Sequence, residues 1–450
     1  LNVILDENNS QLQVDSSLRG LAVDLPAPFG KRADEVRNSS FSMPLTAKVP
    51  TYRANYAGMA SLALAMPDGK PDSLRAELVL GGETANLPDS QGFWLRGRVA
   101  ELDAEAWKAL AEQYSGTAPS SSQDMLRSVH LQVGQFHGFG MEASDLGLSL
   151  ERAGSAWQIG LNSAMVEGEV TVPDQDGQPI VLNLQRLSLP EPPTTDAEAM
   201  AKPDALADIE PASLPPLDVK IAKVMLGSEA LGASSFKLRP VPGGVQFNEL
   251  NMDFKGLQVT GTAGWDGHKG ATSSWYKGRL QGTDLGKVLQ AWNYAPSVES
   301  ERFRVDGDIR WPGSPAWLDL ARMSGTLDGS IRNGRFTEVQ GGGSSALRVF
   351  GLLNFSAIGR RLRLDFSDLF GKGLAFDRVK VLLAGDNGVF VTRKPLEVNG
   401  PSVQLQLDGT LNMVQQSIDA KLYVTLPVSN TVALGALLVF CSAISYAIYL

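Results

Sequence analysis

The chain has 450 residues, 43% hydrophobic, 20% charged and 7% aromatic, with a mean hydropathy of −0.07. That apolar content excludes a wholly disordered chain and the hydropathy excludes a polytopic membrane protein, so the bulk of it folds in water. Forty Lys and Arg against 49 Asp and Glu give a net charge of −9, the wrong sign for following a phosphate backbone, and no nucleic acid is expected as a partner.

In chain order, Leu1 in place of Met, with no basic stretch and short apolar run behind it, predicts a piece of something longer or a processed form. Strands are predicted where apolar and polar residues alternate: Leu12-Gln13-Val14, Val129-His130-Leu131-Gln132-Val133, Val219-Lys220-Ile221, Val403-Gln404-Leu405-Gln406-Leu407 and Ala420-Lys421-Leu422-Tyr423-Val424. Each has one wet side and one apolar side. Gly with Asn or Asp between such runs, as in Gly385-Asp386-Asn387-Gly388-Val389, reads as tight turns, and short connections predict antiparallel meanders. Asp103 and Asp284 are placed to cap short amphipathic helices over 104–114 and 285–294. Residues 189–217 hold Pro190, Pro192, Pro193, Pro203, Pro211, Pro215 and Pro216 among acidic residues, which predicts an exposed loop or strap. A helix is predicted near 345–356, after Gly341-Gly342-Gly343. No charge follows Lys421, and residues 431–450 as a helix measure about 30 Å, the thickness of a hydrocarbon core. Membrane contact is the expectation there, because a helix packed on its own domain would show a polar stripe.

The pattern repeats. A shift of 88 residues lays Leu131 on Val219, Val133 on Ile221, Leu148 on Phe236, Leu150 on Leu238, Trp157 on Val245, Ile159 on Phe247, Val166 on Phe254 and Gly168 on Gly256. A shift of 144 lays Gly244-Val245 on Gly388-Val389 and Phe254 on Val398; one of 181 lays Trp94 to Arg98 on Trp275 to Arg279 and Asp103 on Asp284. Repetition along one axis predicts an elongated sheet that grows by adding like units. The expected organisation is a β-rich repeat region over 1–188, the strap over 189–217, a second β region over 218–425 and a hydrophobic C-terminal segment over 426–450.

Chemistry is sparse. The single Cys441 makes no internal disulfide. His130 and His137 lack companions for a metal site. Ser234 with Lys237 and Ser274 with Lys277 match a Ser-x-x-Lys spacing inside strand-like segments, without the other groups that nucleophile chemistry needs. The pairs Glu167 with Glu169 and Asp306 with Asp308 read as solvent-facing residues around glycines. No catalytic residue, cofactor or metal is expected, and the chain reads as no enzyme.

Leu347 to Asp377, LRVFGLLNFSAIGRRLRLDFSDLFGKGLAFD, resembles the C-terminal signature of the YhdP proteins, members of the AsmA-like group of the Gram-negative envelope. Val14 to Lys31, Trp311 to Trp317 and Gly325 to Phe336 resemble further stretches of the same family. The resemblance implies a mainly β fold, an elongated, twisted antiparallel sheet of AsmA-like units curled into an apolar groove. The residue pattern adds a few short helices and a hydrophobic C-terminal helix, where after about Thr425 the chain departs from the Gly-rich, moderately hydrophobic end of the family. The resemblance also implies a longer, periplasm-spanning parent held in the inner membrane by an anchor outside this sequence, its C-terminal end near the outer membrane. Phospholipids would move along the groove, with unidentified envelope proteins as further partners.

On that reading the alternating strands supply the groove lining: Val129, Leu131, Val133, Val219, Ile221, Phe247, Met252, Phe254, Leu405, Leu407, Leu422 and Val424. Arg360 and Arg361 are candidate head-group contacts, with pairing to Asp365 and Asp368 as the structural alternative. The competing expectation is a periplasmic scaffold for outer-membrane protein assembly that acts through sheet-edge β-augmentation.

Overall fold

The computed structural model describes residues 2–4, 10–115, 125–138, 141–189, 204, 206–294, 296–337, 374–401, 403–415, 417–425, 439–440 and 444–446. Two compact units emerge, Leu1–Ser188 and Leu189–Leu450.

In the first unit, β1 (Asn2–Ile4), β2 (Gln11–Ser16), β3 (Ser39–Pro44), β4 (Thr51–Tyr56), β5 (Ala60–Ala65) and β6 (Arg75–Leu80) are followed by β7 (Gly92–Asp103) and β8 (Leu126–Gly138). Then come β9 (Met141–Ala153), β10 (Ala156–Asn162), β11 (Val166–Pro173) and β12 (Ile180–Leu189). Each strand pairs with the next in the chain. The antiparallel expectation is corrected at two places: β7 runs parallel to β6 and β8 runs parallel to β7. A parallel neighbour needs a crossover. Residues 81–91 supply the first, laid over the polar face so that Ala85 N–H donates to Ser61 Oγ at 3.0 Å and Asn86 N–H to Glu77 at 2.7 Å. Helix α1 (Ala104–Ser115) begins the second, and Asp103 caps it by accepting from the backbone of Glu105 and Ala106.

The second unit contains β13 (Leu217–Leu226), β14 (Glu229–Val241), β15 (Gly244–Phe254), β16 (Leu257–His268) and β17 (Ala271–Gly282), then helix α2 (Leu285–Ala291). It continues with β18 (Val298–Pro312), β19 (Ser324–Phe336), β20 (Leu374–Asp386), β21 (Val389–Asn399), β22 (Gln404–Asn412) and β23 (Ser417–Thr425). Consecutive strands again pair, all antiparallel. Asp284 caps α2 by accepting from Gly286 and Lys287. At the β20–β21 turn Asn387 and Gly388 both take positive φ, 46° and 77°, the mirror-image turn whose twist matches its strands.

The 88-residue repeat survives as register. Leu131 pairs Leu148 and Val219 pairs Phe236; Leu150 pairs Ile159 and Leu238 pairs Phe247. The correspondence ends after three strands, because Val166 opens β11 whereas Phe254 closes β15. The 144-residue shift is one residue out at the hairpin: Val245 and Phe390 are the buried equivalents, at 0% and 1% exposure, while Val389 is exposed.

Within residues 204–217 of the proline-rich segment, Leu206, Ile209 and Leu214 pack on Leu238, Val245 and Trp265. Asp204 fastens this strap: its carboxylate accepts from Ser314 N–H at 2.7 Å and from Ser314 Oγ at 2.6 Å. Burial raises the pKa of Asp204, but the hydrogen bonds from Ser314 and Leu206, with the charge of Arg322, outweigh it and hold the carboxyl below its ordinary value. A depressed carboxyl stabilises the fold above its unfolded pKa, and that contribution is lost as pH falls through the folded one. Asp204→Ala is therefore expected to cost about 2 kcal/mol locally, read as faster limited proteolysis within 204–217 at pH 7. Wild type should approach the variant's rate only under acid conditions, and equal rates at neutral pH would refute the tether.

The expected C-terminal helix is not shown. Within 426–450 the described residues are two short strands, β24 (Val439–Phe440) and β25 (Ile444–Tyr446), both paired with β23. Unbroken apolarity suits a buried strand as well as a helix. Among the described residues no helix is long and apolar enough to cross a membrane. The predicted helix at 345–356, together with Arg360, Arg361, Asp365 and Asp368, lies outside the described residues.

Candidate functional site

Period-two alternation gives each strand an apolar side; the register decides which apolar residues become neighbours. In the first unit, directly paired positions on eleven strands read Val14, Phe41, Ala54, Leu62, Leu78, Leu95, Val129, Leu150, Ile159, Val170 and Leu182. No polar side chain interrupts this row. At the usual strand spacing it extends about 48 Å. All its members except Val129 are half-buried. Two residues further along the strands a second row reads Tyr56, Ala60, Leu80, Gly97, Leu131, Leu148, Leu161, Gly168 and Leu184. An open cleft of about 780 Å³ lies behind these positions, among the side chains of His130, Gln132, Ser149, Asn162, Glu167 and Glu169 on the polar side of the sheet. The opposite face carries Asp15, Ser40, Asn55, Ser61, Val79, Arg96, His130, Ser149, Gly160, Glu169 and Asn183 in the same pairing order.

The second unit repeats the design. One row reads Leu217, Leu238, Phe247, Ala263, Tyr276, Ile309, Gly325, Gly385, Phe390, Leu411 and Ile418. Another reads Ile221, Ser234, Met252, Val259, Leu280, Val305, Gly329 and Val381, with Ser234 its single hydroxyl. Tyr276 is the one ionisable member of the first row, and it stays neutral. Burial, with Asp306 nearby, pushes its pKa up to about 12, and its hydroxyl donates to Thr260 O at 2.9 Å. Beside it Gly261, Gly278 and Gly307 are paired across β16, β17 and β18. A Cβ at Gly278 would lie 2.6 Å from the Tyr276 hydroxyl oxygen, so glycine there lets the ring lie flat on the sheet.

These faces are covered only in places. In the first unit Phe29 and Trp107 meet edge to face at 6.0 Å, and Phe29 packs with Leu80, Val99, Val129, Leu131 and Val133. The loop carrying Phe29 is held by Lys31, 5% exposed, whose ammonium donates to the carbonyls of Leu18, Leu21 and Arg32. In the second unit α2 lays Leu289 against Val298, Phe336, Phe376, Val398, Leu405 and Leu422. Of the twelve proposed lining residues, Val129, Leu131, Val133, Val219, Ile221, Leu405 and Leu422 are buried, whereas Phe247, Met252, Phe254, Leu407 and Val424 are half-buried. Leu405 pairs Val424 and Leu407 pairs Leu422; Met252 stands one strand from Ile221's partner Ser234. Sequence reasoning missed the row on β2 to β7 and the stretch Val305, Leu327, Val381 and Leu383, where short strands and glycines weaken the local alternation.

The polar candidates are spoken for. His130 lies 3.2 Å from Glu151, Lys237 pairs Glu249 at 2.7 Å, Lys277 pairs Asp308 at 3.2 Å, and Ser274, 1% exposed, donates to Gly313 O. Among the described residues no three His, Cys, Asp or Glu side chains are grouped to hold a metal ion.

A family model described as "YhdP protein" matches residues 1–450. The chain is 27% identical over 179 residues to a protein of Escherichia coli (strain K12) named "Intermembrane phospholipid transporter YhdP". The match covers 40% of this chain and 14% of that protein's length. No solved structure matches the chain.

Proposed function

The chain belongs to the YhdP family, and from that premise we propose that its apolar faces shelter phospholipid acyl chains and pass them along the strand-to-strand direction. It then acts without catalysis, as part of a bridge between the inner and outer membranes, with membrane contact at its C-terminal segment. The observation that carries the reading is the uninterrupted apolar row across eleven strands, half-buried at nearly every position. An apolar face of that extent costs free energy in water and repays a hydrocarbon cover. An acyl chain leaving such a face for water loses about 0.8 kcal/mol per methylene, so continuity of the row lowers the barrier to movement. Rows built of aliphatic and aromatic side chains and glycine, with a single serine, present no charge to hold a lipid at one station.

The chain purified without detergent is expected to yield phospholipid on solvent extraction and mass spectrometry, at one or more molecules per chain. A preparation that is folded and free of lipid would overturn the proposal.

A further inference from the structure

The polar face of the second unit holds an arrangement that the apolar rows do not need. Register sets Arg302 of β18 directly opposite Arg332 of β19, and Arg332 directly opposite Arg378 of β20. Like charges in directly opposed positions destabilise a sheet. Lys380 stands opposite Ser330 in the next row, and Lys394 enters where β21 bulges. These side chains line a cavity of about 670 Å³ with seven basic and two acidic residues, the acids being Asp328 and Glu397. Two of the seven are matched: Arg279 and Arg304 both hold Asp306, at 2.7 and 3.0 Å. Among the described residues Arg302, Arg332, Arg378, Lys380 and Lys394 make no ion pair. A chain with net charge −9 has thus gathered unpaired cations around one concavity.

We infer that this cavity binds phosphate, with the Arg302, Arg332 and Arg378 ladder as its floor and Lys380 and Lys394 at its rim. Guanidinium groups on adjacent strands present parallel N–H forks that match phosphate oxygens, and a bound dianion turns the repulsion within the ladder into attraction. Two sources share that chemistry, the head group of an anionic lipid and a soluble phosphate. The inference does not rest on the acyl-chain reading, because the ladder lies on the other side of the sheet.

The test uses the 450-residue chain, a variant carrying R302Q, R332Q and R378Q, and a control, K108Q, on the exposed surface of α1. Two probes are titrated at low salt: inorganic phosphate, followed by thermal shift, and vesicles containing phosphatidylglycerol, followed by flotation. Wild type and control are expected to bind at least one probe saturably, at least tenfold more tightly than the triple variant and ever more weakly as salt rises. Without phosphate the triple variant should unfold at or above the wild-type temperature, since its substitutions relieve repulsion. Should it fail to fold, R332Q alone removes the centre of the ladder and should still weaken binding severalfold. Binding of vesicles that phosphate does not displace supports the site with membrane head groups as its source; displacement, or binding of phosphate alone, supports it with a soluble one. Equal binding by wild type and variant, or saturable binding of neither probe, overturns the inference. Lipid extracted from the apolar faces should be the same for both proteins, which separates this outcome from the fate of the transport proposal.

Discussion

Leu327→Lys combined with Leu383→Glu is expected to leave the second unit folded and to break its apolar face. The two leucines are directly paired across β19 and β20, and both are half-buried. Opposite charges in directly opposed positions contribute roughly 0.2–1 kcal/mol to a sheet, which offsets part of the lost apolar burial. An acyl chain crossing the site meets two charges. If about three methylenes lose apolar contact, the cost is about 2 kcal/mol, or about a thirtyfold fall in occupancy. A phospholipid with a photoreactive group on its acyl chain reports this directly. Labelling of β18 to β20 peptides should fall at least tenfold while labelling of β8 to β11 persists as an internal control. Undiminished labelling of β18 to β20 would show that lipid does not lie there.

Val398→Asp, on the same face one strand further along, is expected to unfold the second unit. Val398 is 0% exposed, paired with Val379 and Leu405 and packed with Phe336, Phe376 and Leu422 under α2. A carboxylate there has no cation within the packed set, and an unpaired buried charge makes the substitution cost about 4 kcal/mol or more. Pulse proteolysis in urea should show cleavage within 217–425 at a markedly lower urea concentration, with the fragment covering 1–188 still protected. A wild-type midpoint would mean that this set is not a filled core. Leu405 belongs to the same set at 3% exposure, so charging it tests stability more than transport. The two substitutions separate what one hydrophobic pattern conceals: a stretch sealed by protein and a stretch left for something else.

Much of the local structure was legible before any coordinates. Alternation marked β8, β13, β22 and β23, and residues 129 to 133 are buried and exposed in strict turn. Asp103 and Asp284 cap the helices they were expected to cap, because a carboxylate one residue before a helix meets its unpaired amides whatever the tertiary surroundings. The 88-residue repeat read from face and turn positions is the register of β8 to β10 and of β13 to β15. Arg360 and Arg361 are adjacent and read from the sequence as a basic pair, whereas Arg302, Arg332 and Arg378 stand far apart in the chain, each beside an apolar residue of an ordinary strand.

The sequence by itself determined the side of the sheet to which each residue belongs, since the side-chain period of a strand is a property of its own backbone. It also determined the family, through long stretches of matching residues. Tertiary structure alone decided which strands are neighbours and in what register, including the parallel pairings of β7 that its flanking turn residues did not announce. It decided which parts of the apolar side lie under α1, α2 and the strap and which remain half-open. Register is set by contacts between residues distant in sequence, so the apolar rows and the arginine ladder exist only once the strands have met.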